Sequence, residues 1–245
     1  MKYKALLMDI DGTLVKVGSL EVSSTVREAV TKASKLLHIG IATTRMLYRV
    51  PESITTLPFN GPSVIGSGAI VEFPSKRILF EKEVDEKDVA KVLTIVKKYP
   101  VTPSLRNNTS EVKNFRTTKV TGIKFLHVPD KYLEPMHKEL SQIPTISLHR
   151  SADPIPHTTT LDVMHTSISK QTGIQRVAKI LNISTQEIIG IGDHYNDFPL
   201  LMECGLKVAM GNAVDDLKAI ANYIAPNVDN DGVADVINKF ILNHD

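Results

Sequence analysis

The sequence predicts an α/β protein whose parallel sheet is interrupted by an α+β insertion. Three observations carry this. Short apolar runs, too brief for helices, alternate with segments of helical apolar spacing toward both ends of the 245-residue chain. Two of those runs, Leu6-Leu7-Met8 and Ile188-Ile189-Gly190-Ile191-Gly192, end abruptly in aspartates, where strands of an open sheet carry their ligand groups. Between about residues 83 and 159 the alternation gives way to long extended runs and two helices, the texture of an α+β unit.

The elements follow in order. A strand is read at 4–9 and a helix near 23–37, where Val26, Val30, Ala33 and Leu37 recur at helical spacing. The strand 38–43 comes next, then a helix ending before Pro58. Val64-Ile65, Ala69 to Phe73 and Arg77 to Phe80 read as strands, the last two joined by the turn Pro74-Ser75-Lys76. In the insertion, Val89, Val92, Leu93 and Val96 mark an amphipathic helix over 85–98. Extended stretches near 101–106 and 119–128, a helix near 130–141 and strands near 145–150 and 159–164 complete it. Alternation then resumes with helix 170–182, strand 187–191, helix 197–203, strand 206–210, helix 214–221, strand 223–225 and helix 231–242. The chain therefore divides into 1–82, an inserted 83–159, and 160–245.

The chemistry lies at the strand ends. Asp9 and Asp11 are alternate residues, so an extended chain points both carboxylates the same way. Such a pair needs a cation, a shared proton or a substrate to offset its repulsion. Asp-x-Asp-Gly also opens calcium loops, but these require a glutamate at the twelfth position, which here is Leu20. Far downstream, Asp193 ends a second strand and is followed by His194, Tyr195, Asn196 and Asp197. If the two strands are neighbours, Asp9, Asp11, Asp193 and Asp197 can converge around a divalent cation, and oxygen-only ligation suits magnesium. Taken alone, Asp197 also reads as a helix N-cap. Thr43 ends the strand 38–43 with a hydroxyl suited to phosphate, and Lys170 opens a helix with a point charge for a phosphoryl oxygen.

Composition narrows the classes. A net charge of +2, scattered basic residues and few aromatics give no reason to invoke nucleic acid. The single Cys204 excludes an intrachain disulfide and fits a reducing compartment. No apolar run approaches the roughly 18 residues of a membrane span, and no signal peptide is read, so the expected setting is cytoplasmic. The spacings of His149, His157, His165 and His194 match no zinc signature.

Together the ordered motifs Asp9-Ile10-Asp11-Gly12-Thr13, Thr43, Lys170 and Gly192-Asp193-His194-Tyr195-Asn196-Asp197 resemble the haloacid dehalogenase superfamily, specifically its Cof-type branch with a type-two cap. Met210-Gly211-Asn212-Ala213 and Asn230-Asp231-Gly232-Val233-Ala234 are similar to late signatures of that branch. The resemblance implies a three-layer Rossmann-like core, with residues 83–159 as the cap. It also implies a phosphatase of a small phosphorylated metabolite: a sugar or polyol phosphate, or phosphoglycolate. Asp9 is then the nucleophile that forms an aspartyl-phosphate. Magnesium is expected on Asp9, Asp11 through its backbone carbonyl, Asp193, and water held by Asp197. Asp11 is the expected general acid and base, and Thr43 and Lys170 the phosphoryl holders. Asn196 is expected to position Lys170 or phosphate, and Arg45 to meet a second anionic group. Thr44 is a further substrate-binding candidate. Thr44 and Gln171 stand where the branch usually has glycines, and Ser67 where asparagine is common. A phosphomutase on the same fold is an alternative, as is a receiver-like phosphoacceptor without turnover, which lacks a carboxylate at the position of Asp11. A monomer or homodimer is expected, with neither nucleic acid nor membrane as partner.

Overall fold

A computed structural model of the chain describes residues 2–153 and 155–243. In chain order the elements are β1 (Ala5–Met8), α1 (Ser24–Ala33), β2 (His38–Ile41), α2 (Glu52–Thr55), β3 (Pro62–Ile65), β4 (Ala69–Glu72) and β5 (Arg77–Phe80). Next come α3 (Glu86–Val96), β6 (Pro103–Arg106), β7 (Gly122–Pro129), α4 (Asp130–Leu140), β8 (Ile146–Ala152) and β9 (Thr158–His165). The chain closes with α5 (Lys170–Leu181), β10 (Ile188–Gly192), α6 (Phe198–Glu203), β11 (Leu206–Ala209), α7 (Asp215–Ile220), β12 (Tyr223–Ile224) and α8 (Gly232–Ile237). These fall into two compact units, one formed by Met1–Phe80 with Ser169–Asp245, the other by Glu81–Ile168.

The first unit is built on a five-stranded parallel sheet in the order β12-β11-β10-β1-β2. Its central strands β1 and β10 are apolar throughout because both faces are covered, as parallel sheets require. Leu6 and Met8 of β1 face one cluster with Ile39, Ile41, Val26 and Val236. Ala5 and Leu7 face another with Ile174, Val177, Leu200 and Leu217. The alternation of side chains along a strand thus feeds two cores and makes three layers. A small antiparallel sheet, β3-β4-β5, adjoins the edge through a bridge between Ala42 and Val64.

Local chemistry sets the helix ends. The hydroxyl of Ser23 accepts from the Val26 amide to start α1, and Ser169 forms a reciprocal capping box with Thr172 at the start of α5. The helix expected over 23–37 stops at Ala33, although Leu37 is buried. Its apolar character reflects core packing of the following turn, which periodicity cannot tell from helix. Likewise the α-helical part of 231–242 is confined to α8, after which Asn238–Leu242 winds more widely.

The second unit is a four-stranded antiparallel sheet, β6-β7-β9-β8. One face carries Ile123, Phe125, Leu161 and Val163, packed with Val89, Val92 and Val96 of α3 and Leu133, Met136 and Leu140 of α4. Among the described residues no helix is long and apolar enough to cross a membrane.

Candidate active site

Because β1 and β10 are parallel neighbours, with Met8 paired to Ile191, both chains leave the sheet side by side. The Asp9 amide donates to the Ile191 carbonyl at 3.0 Å. Asp193 directly follows the last residue of β10. Asp197 ends the single 3-10 turn Tyr195–Asp197 that leads into α6. Oxygens of Asp9, Asp193 and Asp197 lie within 4.8 Å of one another, and all three residues are buried.

One cation answers this charge. Lys170, the first residue of α5, sets its Nζ 3.0 Å from Asp9 Oδ1 and 2.5 Å from Asp197 Oδ1. The other Asp197 oxygen accepts from the backbone amides of Asp193 at 2.9 Å and His194 at 3.1 Å. Asp197 therefore commits both oxygens to protein donors, and it holds the Asp193 segment in place. The Thr13 hydroxyl donates to Asp193 Oδ1 at 3.1 Å.

The balance remains negative, and it raises the carboxylate pKa values. Burial, reinforced by the charge of Asp197, pushes Asp9 up to about 8. The same two causes push Asp193 up to about 7. Burial works against the Lys170 ammonium, but the carboxylates of Asp197 and Asp9 outweigh it and hold its pKa above the ordinary lysine value. Three buried carboxylates around one ammonium could hold a hard divalent ion. Such an ion would relieve the repulsion that raises both pKa values.

Two glycines make the convergence possible. Gly12 has φ +79°, and a Cβ there would sit 2.1 Å from Asp193 Oδ2. A Cβ on Gly192 would sit 2.5 Å from Asp197 Cβ. Asn212 ties the loop further. Its Nδ2 donates to the Gly12 carbonyl at 2.8 Å, while its Oδ1 accepts from the Val228 amide.

Of the four aspartates expected to converge, three bring carboxylate oxygens together. The Asp11 carboxylate turns to Arg45, whose Nε and NH2 donate to its two oxygens at 2.8 and 2.6 Å. Arg45 also donates to the Arg49 carbonyl at 3.1 Å. The guanidinium is thus engaged by Asp11 in this arrangement. A forked, planar donor is satisfied best by a nearby carboxylate, and the turn after β2 puts Arg45 within reach of one. Thr43 is buried beyond the end of β2, its hydroxyl accepting from the Arg45 amide at 3.1 Å. Thr44 and Asn196 are half-buried in the turns beside these residues. Gln171 is exposed and donates to Glu203 at 2.9 Å. Ser67 holds φ +65° and donates its amide to the Thr43 carbonyl.

Sequence reasoning passed over Thr13 and Asn212 as contributors to the site. Asn212 lies inside the Met210–Ala213 signature, so a signal was present; its partner, a backbone carbonyl 200 residues away, was not.

The sequence pattern of the haloacid dehalogenase-like hydrolases matches residues 6–114 and 104–237. A phosphoglycolate phosphatase of Methanobrevibacter smithii is 25% identical over 250 residues, spanning 99% of this chain and all of its own. A 5-amino-6-(5-phospho-D-ribitylamino)uracil phosphatase of Bacillus subtilis is 25% identical over 246 residues, covering 98% of this chain and 96% of its own. Among solved structures, a phosphatase of the haloalkanoate enzyme superfamily from Bacteroides thetaiotaomicron superposes with a TM-score of 0.85 at 22% identity, over 97% of this chain and 95% of that one.

Proposed function

The chain belongs to the haloacid dehalogenase-like hydrolase family, and from that premise we propose that it is a magnesium-dependent phosphatase of a small phosphorylated metabolite. The single observation that carries this reading is the buried group of Asp9, Asp193 and Asp197 around Lys170. The relatives named as phosphatases support it.

Asp9 is the nucleophile. Its Oδ1 is held by Lys170, which fixes the carboxylate and lowers its charge enough for a phosphate dianion to approach. An Asp9 oxygen attacks phosphorus, the ester P–O bond breaks, and an aspartyl-phosphate remains. Asp11, once released from the two-point contact of Arg45 and carrying a proton, gives that proton to the leaving oxygen. It then takes a proton from the water that attacks phosphorus and frees Asp9. Thr43 and Lys170 hold the phosphoryl oxygens, with Thr44 and Asn196 beside them. Asp9 and Asp193, with the main-chain carbonyl of Asp11, would hold the magnesium ion, while Asp197 shapes the site through Lys170 and the two amides. When bound, magnesium supplies positive charge against the phosphoryl oxygens. The second unit is proposed as the cap, which excludes water and grips the part of the substrate that does not react.

Hydrolysis of an aryl phosphate tests the reading. Wild-type protein should turn it over with magnesium and stop in excess chelator, and calcium should inhibit because it prefers more ligands at longer distance. Asp9→Asn should remove turnover, since an amide cannot attack phosphorus. Residual activity above a few per cent of wild type, where a loss of about 2 kcal/mol would place it, overturns the aspartyl-phosphate route.

A further inference from the structure

The carboxylate group of the first unit is braced by a loop that contributes none of its charges. Residues 210–214, which follow β11, grip the chain beyond two other strands. The Met210 amide donates to the Gly192 carbonyl and the Val214 amide to the Asp193 carbonyl, each at 3.0 Å. Both contacts fix the main chain that carries Asp193. Between them the Asn212 side chain turns to the other carboxylate loop, its Nδ2 donating to the Gly12 carbonyl at 2.8 Å. One short loop thus holds the chain leaving β10 and the chain leaving β1, its parallel neighbour.

The brace has its own anchor. Asn212 Oδ1 accepts from the Val228 amide at 2.9 Å, in the turn after β12. A Cβ on Gly211 would come within 2.8 Å of the Asn227 nitrogen, so the two turns pack backbone against backbone. The Asn227 side chain accepts from the Asp229 amide at 2.8 Å, which stiffens that turn. The chain beyond Gly12 meets the same turn twice more, where Lys16 pairs with Asp229 and the Ser23 hydroxyl donates to Asp231. Of these three ties, only that of Asn212 grips a residue adjacent in sequence to Asp11.

The residue type suits the task. The Gly12 carbonyl needs a donor and the Val228 amide an acceptor, and one planar side-chain amide supplies both. Gly12 also needs an outside hold, because without a side chain its backbone is the least restricted in the loop. Asn212 itself is exposed, where substitution costs the fold little. Resting on the phosphatase reading above, we propose that Asn212 is a positioning residue for the cation site. By holding the Gly12 peptide it fixes where the main-chain carbonyl of Asp11 stands relative to Asp193, the ligand that comes from the other strand. Asn212 touches neither ion nor phosphate, so its loss weakens magnesium binding and leaves the reacting groups in place.

The test titrates magnesium calorimetrically into the full chain as wild type, Asn212→Leu, Asn212→Ala and Asp229→Asn. Asn212→Leu keeps the shape of the side chain and removes its donor and acceptor, and Asn212→Ala removes the bulk as well. Asp229→Asn is the control, since it breaks the exposed Lys16 pair of the same turn and leaves Asn212 with both partners. Both Asn212 variants should bind magnesium about tenfold or more weakly, the loss typical of removing a partner that orients a ligand. Asp229→Asn should stay within about twofold of wild type, because an exposed pair contributes little. In aryl phosphate hydrolysis the magnesium needed for half the maximal rate should rise by the same factor in the Asn212 variants, with kcat at saturating magnesium within about threefold of wild type. A merely structural role would lower melting in chelator and leave the magnesium constant unmoved, and that result overturns the proposal. So does an equal weakening in Asp229→Asn, or a lost kcat that excess magnesium does not restore. Wild type that binds magnesium but hydrolyses no ester sinks the phosphatase reading and leaves the role of Asn212 standing; wild type that binds no magnesium sinks both.

Discussion

Replacing Gly12 with alanine separates two costs that the site imposes on one residue. The first is conformational. Gly12 sits at φ +79°, where a side chain costs about 1–2 kcal/mol. The second is steric. The new Cβ would lie 2.1 Å from Asp193 Oδ2 and 2.6 Å from its Cγ, against an ordinary separation of about 3.5 Å. The Asp193 carboxylate must therefore retreat by more than about 1 Å. That movement breaks its hydrogen bond from Thr13, a further loss of about 1 kcal/mol. It also withdraws one of the proposed magnesium ligands. Disturbing the partners that merely orient a ligand costs about 10–100-fold in metal affinity, so displacing the ligand itself should cost at least about 100-fold. Gly18→Ala is the control. Gly18 has φ +84°, yet nothing lies within 4 Å of the added Cβ, so it carries the conformational cost alone. Thermal unfolding in chelator should lower Tm for both variants, by about 2–4 °C per kcal/mol, and further for Gly12→Ala. A magnesium titration should separate them, with Gly18→Ala close to wild type. A Gly12→Ala protein that binds magnesium within about threefold of wild type would refute the reasoning.

Two other outcomes follow from the same site. In metal-free protein Asp9 and Asp193 hold protons up to about 8 and about 7, whereas in the unfolded chain they release them near the ordinary aspartate value of about 4. The native state thus binds more protons between about pH 4 and pH 8, and its stability should fall as pH rises through that window. Magnesium binding at pH 6 should release protons, detectable as an apparent binding heat that depends on the buffer; a heat independent of buffer would count against the raised pKa values. Lys170→Met should keep the apolar stem and leave Asp9 and Asp197 without their ammonium. Loss of one partner from a buried pair costs about 3–5 kcal/mol, so melting in chelator should drop sharply, more at pH 9 than at pH 6, and magnesium should recover part of the loss. A melting curve unchanged in chelator at pH 9 would show that Lys170 is not the ion holding this group together.

What the sequence determined by itself was the set of elements and the strand ends that carry the chemistry. Apolar runs such as Leu6–Met8 and Ile188–Ile191 are legible because burial on both faces admits no polar residue, and their polar ends mark where the chain leaves the sheet. The α+β texture of the middle segment was legible for the same reason, since one apolar face per strand writes a period of two. Only the tertiary structure decided which polar side chains meet. Asp11 and Asp9 share a motif, yet one turns to Arg45 and the other to Lys170. Asn212 reaches back 200 residues to the carbonyl of Gly12. Gly12 needs its missing Cβ because Asp193 fills that space from another strand. In each case the partner is distant in sequence, and whether a charged group finds a cation, an amide or another carboxylate depends on side-chain direction at distances of a few ångström. Local pattern records which residues are buried; only the packed chain sets what each buried charge faces.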